Sequence, residues 1–510
     1  MALTKSVSEI IAEDTSGLLG AHPTWSRVPL CQVATVLNGF PFASELFSTD
    51  SGMPLIRIRN VLEGATETFY RGDFDKQFVV QQGELLIGMD GDFHSARWKC
   101  EPALLNQRVC KISVDEHVYH PVLIQYALPG YLAAINQATS AITVKHLSSR
   151  TIEDIDLPLP PFGEQERIVE KLEELMSDLD AGVAELKAAQ LKVAQYRQSL
   201  LKAAVEGRLT ADWRAARASS NGPQESGTDL LQRILAERRA RWETRQVAKY
   251  AEQGKTPPKG WQAKYPEPVT LDTTSLPVLP DEWAWARVDV AGEVQLGRQR
   301  APQFHSGENM VPYLRVANVF EDRIDVSDVM QMQFSASEED TFRLKRGDVL
   351  LNEGQSLELI GRPAIYRDEL PNACFTNTLV RFRCSTSVTP EYALMVFLHN
   401  LHSGRFQKIA KITTNIAHLG AGRFAGLEFP LPPIEEQAEI VCRMDLYREA
   451  IQELGAFIRK GLSQSAAQRK NILKAAFAGQ LVPQDPNDEP ASVLLERIRA
   501  GRAAQGASKK

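Results

Sequence analysis

Along two stretches of the chain, apolar residues recur at intervals of three and four with charged residues between them. In the first, the apolar positions are Ile168, Leu172, Leu175, Leu179, Val183, Leu186, Val193 and Leu200; in the second, Ile440, Met444, Tyr447, Ile451, Leu454, Ile458 and Ile472. That spacing predicts one long amphipathic helix in each stretch, its stripe forming a coiled-coil seam with a slip near Gly182 and Val183. Prolines precede each helix, and Glu164, or Glu435 and Glu436, falls in the first turn, where the helix dipole favours an acid. A glycine, Gly207 or Gly479, closes it. At 1.5 Å per residue, about 42 residues make a rod roughly 60 Å long. A single apolar stripe must be buried, so the two helices are expected to pair with each other.

The stretches are copies. Pro158-Leu159-Pro160-Pro161-Phe162-Gly163-Glu164-Gln165 matches Pro430-Leu431-Pro432-Pro433-Ile434-Glu435-Glu436-Gln437, and the alignment runs without a gap at a constant offset of 272 residues to Gly207-Arg208-Leu209 and Gly479-Gln480-Leu481. The segments ahead of them are related more loosely. Trp25-Ser26-Arg27-Val28 resembles Trp285-Ala286-Arg287-Val288, Pro54–Val61 resembles Pro312–Val319, Gly83–Ile87 resembles Gly347–Leu351, and His146-Leu147 falls on His418-Leu419. Short apolar runs such as Leu55–Arg59 and Glu84–Ile87, broken by Gly, Pro and Asn, read as strands of a β-rich globule, with a helix near Pro121–Asn136. Leu230–Ile234 resembles Leu494–Ile498, a short basic helix behind each long one.

The expected fold class is therefore α+β, with two β-rich mixed domains separated by a pair of long antiparallel coiled-coil helices in a pseudo-twofold internal repeat. The expected boundaries are a lead-in at 1–24, a first globule at 25–157 and a helical region with its basic helix at 158–253. A Pro- and Thr-rich extended linker follows at 254–284, then a second globule at 285–429, a second helical region at 430–500 and a disordered tail at 501–510.

Composition narrows the function. The 510 residues are 43% hydrophobic and 24% charged, an ordinary balance for a protein with packed cores. The six cysteines (31, 100, 110, 374, 384 and 442) form no C-x-x-C pair, so they read as reduced thiols of a cytoplasmic protein. No basic region leads into an apolar core at the N-terminus and no 18-residue apolar run occurs, which argues against secretion and membrane insertion. Net charge is −6, so a nucleic-acid binder of this composition must concentrate its cations locally or borrow them from partners.

Catalytic motifs are near misses. Leu159-Pro160-Pro161-Phe162 resembles the amino-methyltransferase tetrapeptide, but Leu159 and its counterpart Leu431 stand where an Asn or Asp must accept a hydrogen bond. Gly254-Lys255-Thr256 ends like a P-loop, yet Lys249 holds the place of the first glycine and two prolines follow. Glu185-Leu186-Lys187 has a nuclease-like spacing inside the coiled-coil helix. No catalytic site and no metal constellation is expected in this chain.

Two variable globules alternating with two near-identical helices, each started by Pro-Leu-Pro-Pro-x-x-Glu-Gln and ended by Leu-Lys-Ala-Ala-(Val/Phe)-x-Gly-x-Leu, resemble the specificity subunit of type I restriction–modification enzymes over nearly the whole chain. The resemblance implies two target-recognition domains, each reading half of a bipartite double-stranded DNA target. It implies an antiparallel helical spacer that docks two methyltransferase subunits, with restriction and translocation subunits joining them. S-adenosylmethionine, ATP and Mg are then expected on those partners and no cofactor on this chain. A coiled-coil protein-interaction scaffold and a self-sufficient DNA methyltransferase are the alternatives.

Sequence is read in the grooves by Arg, Lys, Asn, Gln, Asp, Glu, Ser, Thr and His side chains. In the first globule the candidates are Arg57, Arg59, Asn60, Asp90, Asp92, His94, Arg97, Thr139, Ser140, Thr143, Lys145 and His146. In the second they are Arg315, Asn318, Asn352, Glu353, Gln355, Lys408, Lys411, Thr413, Thr414, Asn415 and His418. Each has a plainer reading: Arg57 and Arg59 as the solvated face of a strand, Asp90 and Asp92 as turn formers, His146 and His418 as hydrogen-bonded structural residues. Helix pairing is assigned to Ile168, Leu172, Leu175, Leu179, Leu186, Val193, Ile440, Met444, Tyr447, Ile451, Leu454 and Ile458.

Overall fold

Each apolar-striped stretch is one unbroken helix of 44 residues, Phe162–Val205 and Ile434–Phe477. The computed structural model describes residues 5–139, 145–219, 225–413 and 415–508. The chain divides into two units, residues 1–187 with 459–510 and residues 188–458, so the division falls inside both long helices.

In the first unit the strands Ala34–Asn38, Val109–Val114, Leu85–Gly88 and His94–Arg97 lie in that order in one antiparallel sheet. Beside it, Met53–Ile56 runs parallel to Ala103–Leu105, pairing Leu55 with Leu104. The helix Pro121–Ala138, started by proline at the first position as its fixed φ allows, buries Leu123, Ile124, Ala127, Leu128, Tyr131, Leu132 and Ile135 in the core. That core continues into Ile168, Val169, Leu172 and Met176 of the first long helix, Ala476 and Phe477 of the second, and Leu494 and Ile498 of the C-terminal helix.

The second unit repeats the plan. Its four-stranded sheet runs Gly292–Leu296, Leu379–Cys384, Val349–Asn352 and Pro363–Ile365, and Met310–Leu314 runs parallel to Cys374–Phe375. Its core takes in Leu200, Leu201, Ala204 and Val205 of the first long helix, Ile440 and Met444 of the second, and Leu230 and Ile234 of the helix Gly227–Glu252.

In both units one junction ties globule to helix. Ser26–Pro29 pairs antiparallel with Asp156–Leu159, and Ala284–Arg287 with Glu428–Leu431. The strand brings Trp25 to the helix start, where its indole Nε1 donates to Glu164 Oε2 at 2.9 Å; Trp283 donates to Glu436 Oε2 at 2.8 Å. Both carboxylates are fully buried, which a charged group tolerates only when hydrogen-bonded. The neighbouring glutamines act alike: Gln165 Nε2 donates to the Pro160 carbonyl at 3.0 Å and Gln437 Nε2 to the Pro432 carbonyl at 3.1 Å. Tyr119 and Tyr392 donate their hydroxyls to the carbonyls of Pro158 and Pro430. At the far helix ends Gly207 and Gly479 adopt φ of 72° and 67°, the left-handed cap that glycine alone takes without strain.

Within each unit the long-helix segments run antiparallel. In the first unit Asp180 meets Arg469 in an ion pair, and further along the first helix Leu186 lies against Gly461, earlier in the second. In the second unit Tyr196 stands edge-on to Tyr447 with ring centroids 6.5 Å apart, while Arg443 Nη1 donates to the Leu209 carbonyl at 2.9 Å.

Several expectations need correction. The tryptophan equivalent to Trp25 is Trp283, since Ser26 faces Leu159 and Ala284 faces Leu431; Trp285 donates instead to the Pro277 carbonyl. Glu164 and Glu436 are buried hydrogen-bond acceptors as well as first-turn acids. The helical stripe is unevenly covered. Ile168, Leu172, Ile440, Met444 and Ile458 are buried, whereas Leu175, Leu179, Leu186, Val193 and Ile451 are half-buried. Tyr447 is 37% and Leu454 48% exposed, so neither sits in a closed seam. Two helices side by side shield only a narrow strip; Ile168, Leu172, Ile440 and Met444 are buried where a globule core also covers the helix, and Ile458 lies outside both cores. The C-terminal helix, Ala491–Ser508, runs through the expected disordered tail because Leu494 and Ile498 anchor it and Arg502 Nε donates to the Gln32 carbonyl. The basic helix behind the first long helix is long, 26 residues, and Trp261 of the following linker stacks on its Trp242.

Two predictions follow from this packing. Leu172→Ala, which empties a fully buried position, should cost about 2–5 kcal/mol of unfolding free energy, whereas Leu454→Ala should cost well under 1 kcal/mol; chemical denaturation of both variants checks this. Burial, the largest influence, holds the Glu164 carboxyl above its ordinary value of 4.5, against the lowering effect of its bonds to Trp25 and Gln484. The folded state therefore keeps this proton more tightly than the unfolded chain, and ionising it weakens the fold as pH rises through the window from 4.5 to the raised value. Glu164→Gln keeps an acceptor for Trp25 and should flatten the pH dependence of the unfolding midpoint there; an unchanged slope would clear Glu164.

Candidate nucleic-acid interface

The first globule sets most of its described candidate residues on two turns and an edge strand. Arg57 and Arg59 are exposed in the turn that leads from strand Met53–Ile56 into the helical turn Asn60–Glu63. Asn60 itself is buried: its Oδ1 accepts from the Arg57 amide at 3.0 Å and its Nδ2 donates to Glu63 Oε2 at 3.0 Å. The same turn recurs in the second globule, where Asn318 Oδ1 accepts from the Arg315 amide at 3.0 Å and Nδ2 donates to the Asp325 and Asp328 carbonyls, both at 2.9 Å. Arg315 forms an ion pair with Asp328. The two asparagines shape the turns, and their amides are consumed in doing so.

Asp90 and His146 face each other across an isolated bridge, with His146 Nδ1 2.6 Å from Asp90 Oδ1. Asp92 is exposed beside them and His94 is half-buried on the edge strand His94–Arg97. Lys145 Nζ donates to Asn136 Oδ1 at 3.0 Å. Arg97 donates to the Gly83 carbonyl at 3.0 Å, and Thr139, buried, donates to the Ile135 carbonyl at 2.7 Å. Thr139 and Arg97 are thus held by the fold and not presented to a ligand. Ser140, Thr143 and Thr414 lie outside the described residues.

In the second globule Gly354–Gln355, Ile416–His418 and Lys411–Thr413 form a three-stranded antiparallel sheet, Lys411 facing His418 across its outer pair. Lys411, Thr413 and Asn415 are exposed on this hairpin, with Lys408 exposed just before it. His418 Nδ1 is 3.1 Å from Glu353 Oε2, repeating in kind the acid–histidine contact of the first globule. Asn352 is fully buried, its Nδ2 directed to the Val319 carbonyl at 3.5 Å, so it too is removed from any ligand surface. The structure thus brings together Arg57, Arg59 and Asn60 on one turn, Asp90, Lys145 and His146 on a second, and Glu353, Gln355, Lys411, Thr413, Asn415 and His418 on one small sheet.

Sequence reasoning missed Ile412 and Ile416, 59% and 51% exposed on the same hairpin, where apolar side chains can meet thymine methyl groups. It also missed Arg108, whose Nη1 lies 3.1 Å from His146 Nδ1. The alternation of Lys411-Ile412-Thr413 carries a signal for the first two; Asn106-Gln107-Arg108 reads only as a turn. Leu159 is buried in the strand paired with Ser26, just ahead of the first long helix. Among the described residues no group of three or more His, Cys, Asp or Glu could hold a metal ion, and no helix is long and apolar enough to cross a membrane.

The profile of the type I restriction modification DNA specificity domain matches residues 23–188 and 296–456. The chain belongs to this family. A relative described as the type I restriction enzyme EcoBI specificity subunit of Escherichia coli is 31% identical, over 100% of this chain and 99% of its own length. The EcoKI specificity subunit of Escherichia coli (strain K12) is 24% identical over 95% of this chain and 97% of its own. A solved chain from a study of complex assembly and conformational transition of the type I R-M system superposes with a TM-score of 0.57 at 16% identity, covering 90% of this chain and 99% of that one, and shares the fold. As a specificity-family member the chain carries two recognition domains with long helical regions between them, and DNA recognition in place of catalysis.

The buried turn asparagines provide a test. Asn318→Ala strands the Arg315 amide and two carbonyls, and should destabilise the protein by about 1–3 kcal/mol; Asn415→Ala, on the exposed hairpin, should leave stability within about 0.5 kcal/mol. Thermal unfolding of the two variants decides between them.

Proposed function

We propose that this chain is the non-catalytic specificity subunit of a cytoplasmic type I restriction–modification complex. Its domains at 25–157 and 285–429 each read one half of a bipartite duplex target. The long helices set the interval between half-sites and dock two methyltransferase subunits, with restriction subunits joining the assembly. S-adenosylmethionine, ATP and Mg are used by those partners.

One observation carries this reading. The junction of Trp25 with Glu164 and of Trp283 with Glu436, with the neighbouring glutamines and capping glycines, is the same in both units, while the exposed side chains of the two globules differ. A constant holder with two unlike surfaces is what two readers of different half-sites require. Leu191, Leu446, Leu454 and Phe457, between 48% and 68% exposed on the long helices, support the docking of partner subunits there, because apolar side chains left in water favour a protein interface. Much of the phosphate grip then falls to those partners, consistent with a net charge of −6.

Exchanging residues 25–157 for those of a relative, followed by mapping of methylated adenines, tests the reading. One half-site should change while the other and the interval between them persist; a pattern unchanged in both halves would favour a scaffold.

A further inference from the structure

The two recognition domains share a frame around one turn. Strand Ala103–Leu105 continues to Val109–Val114 through Asn106-Gln107-Arg108, and Cys374–Phe375 continues to Leu379–Cys384 through Thr376-Asn377-Thr378. The Arg108 carbonyl accepts from the Met89 amide at 2.9 Å, and the Thr378 carbonyl accepts from the Glu353 amide at 2.9 Å. Met89 and Glu353 in turn accept from the amides of Leu147 and Leu419, at 2.7 and 2.8 Å. Phe40 and Arg298 bridge in parallel to Asn106 and Thr376. These backbone hydrogen bonds are shared, but Arg108 takes the place of Thr378 and Asp90 that of Gly354, and of the first pair only Arg108 has a positive φ. A position whose backbone hydrogen bonds are kept while its conformation and side chain change is where two sensors of one design differ in what they detect.

Arg108 has further marks of a reading residue. Its φ is 72°, a region that a residue with a side chain adopts rarely and that concentrates at functional sites. Its side chain is 53% exposed, with Nε 3.6 Å from Asp90 Oδ2 in an ion pair. No hydrogen bond occupies Nη2 among the described residues. His146 Nδ1 donates to Asp90 Oδ1 at 2.6 Å and so fixes the carboxylate that Arg108 meets. A guanidinium oriented in this way, with a donor edge left over, suits a planar pair of acceptors, and guanine O6 and N7 in the major groove are the commonest such pair. A bare phosphate contact needs no such clamp. Thr378 is differently engaged, its hydroxyl accepting from the Val316 amide at 3.1 Å.

Resting on the proposed function above, we propose that Arg108 is a specificity-determining residue that reads a guanine in the half-site of the first domain, positioned by Asp90 and His146. Arg108→Gly is the informative variant, because glycine accepts a φ of 72° without strain and the Asp90–His146 contact remains. The assembled complex, with unaltered modification subunits, is assayed for methylation of a duplex library randomised in both half-sites. Discrimination at one G·C pair of the first half-site should fall by about 5- to 150-fold, with the second half-site unchanged and the thermal midpoint not lowered. Asp90→Asn should relax the same base pair by a smaller factor; relaxation spread over several positions would mean a loss of structure and would overturn the positioning role. An unchanged profile, a first half-site without any G·C pair, or a uniform loss across all sequences would overturn the proposal, the last marking Arg108 as a phosphate contact. The domain exchange separates this from failure of the function itself, which would leave both half-sites unmoved when residues 25–157 are replaced.

Discussion

A buried hydrogen bond from an indole to a carboxylate, made once in each unit, is the constraint on which the rest of the structure depends. Trp25 reaches Glu164 and Trp283 reaches Glu436 only because a strand at the front of each globule pairs with the strand that runs into the long helix. The contact fixes the direction in which the helix leaves the globule. A fully buried carboxylate without partners would cost several kcal/mol, so the geometry is tightly specified. The glutamine that follows each glutamate adds bonds to the Pro160 and Pro432 carbonyls just ahead of the helix.

The two junctions are alike in their tryptophan and unlike in what neutralises the acid. Glu436 also accepts from Thr210 Oγ1 at 2.6 Å and forms an ion pair with Arg214, whereas Glu164 takes Gln484 in that place. Burial, the largest influence, leaves Glu164 with a raised affinity for its proton despite its bonds to Trp25 and Gln484. The duplicated frame has thus drifted in its electrostatics while keeping its directionality. Each unit also draws on both copies of the helix. Leu172 and Phe477 share the core of the first unit, and Leu200 and Ile440 that of the second, so each core is built from both halves of the sequence.

The side chains proposed to read DNA stand on the parts of the globules that this frame leaves free. The strands Lys411–Thr413 and Ile416–His418 expose Lys411, Ile412, Thr413 and Ile416, and the turn at Arg108 presents a guanidinium beside Asp90. Both are supported by backbone hydrogen bonds from the adjoining sheets, which lets side chains vary without loss of the fold. In contrast, Asn60 and Asn318, which look like base readers by residue type, are committed to closing turns.

The sequence by itself determined the duplication, the two long helices and their glycine caps, because a period of three and four and a left-handed terminus are local properties of the backbone. It also separated rigid helices from divergent globules, since the helices align without gaps and the globules do not. Only the tertiary structure decided which polar residues face solvent. Asn352 and Asn415 are the same residue type, yet one is buried at the end of strand Val349–Asn352 and the other is exposed on a hairpin. Likewise, Trp283 and Trp285 are two residues apart, and strand register alone selects the one that meets Glu436. Register and the pairing of distant side chains are set by contacts between segments far apart in the chain, and residue type at a single position does not encode them.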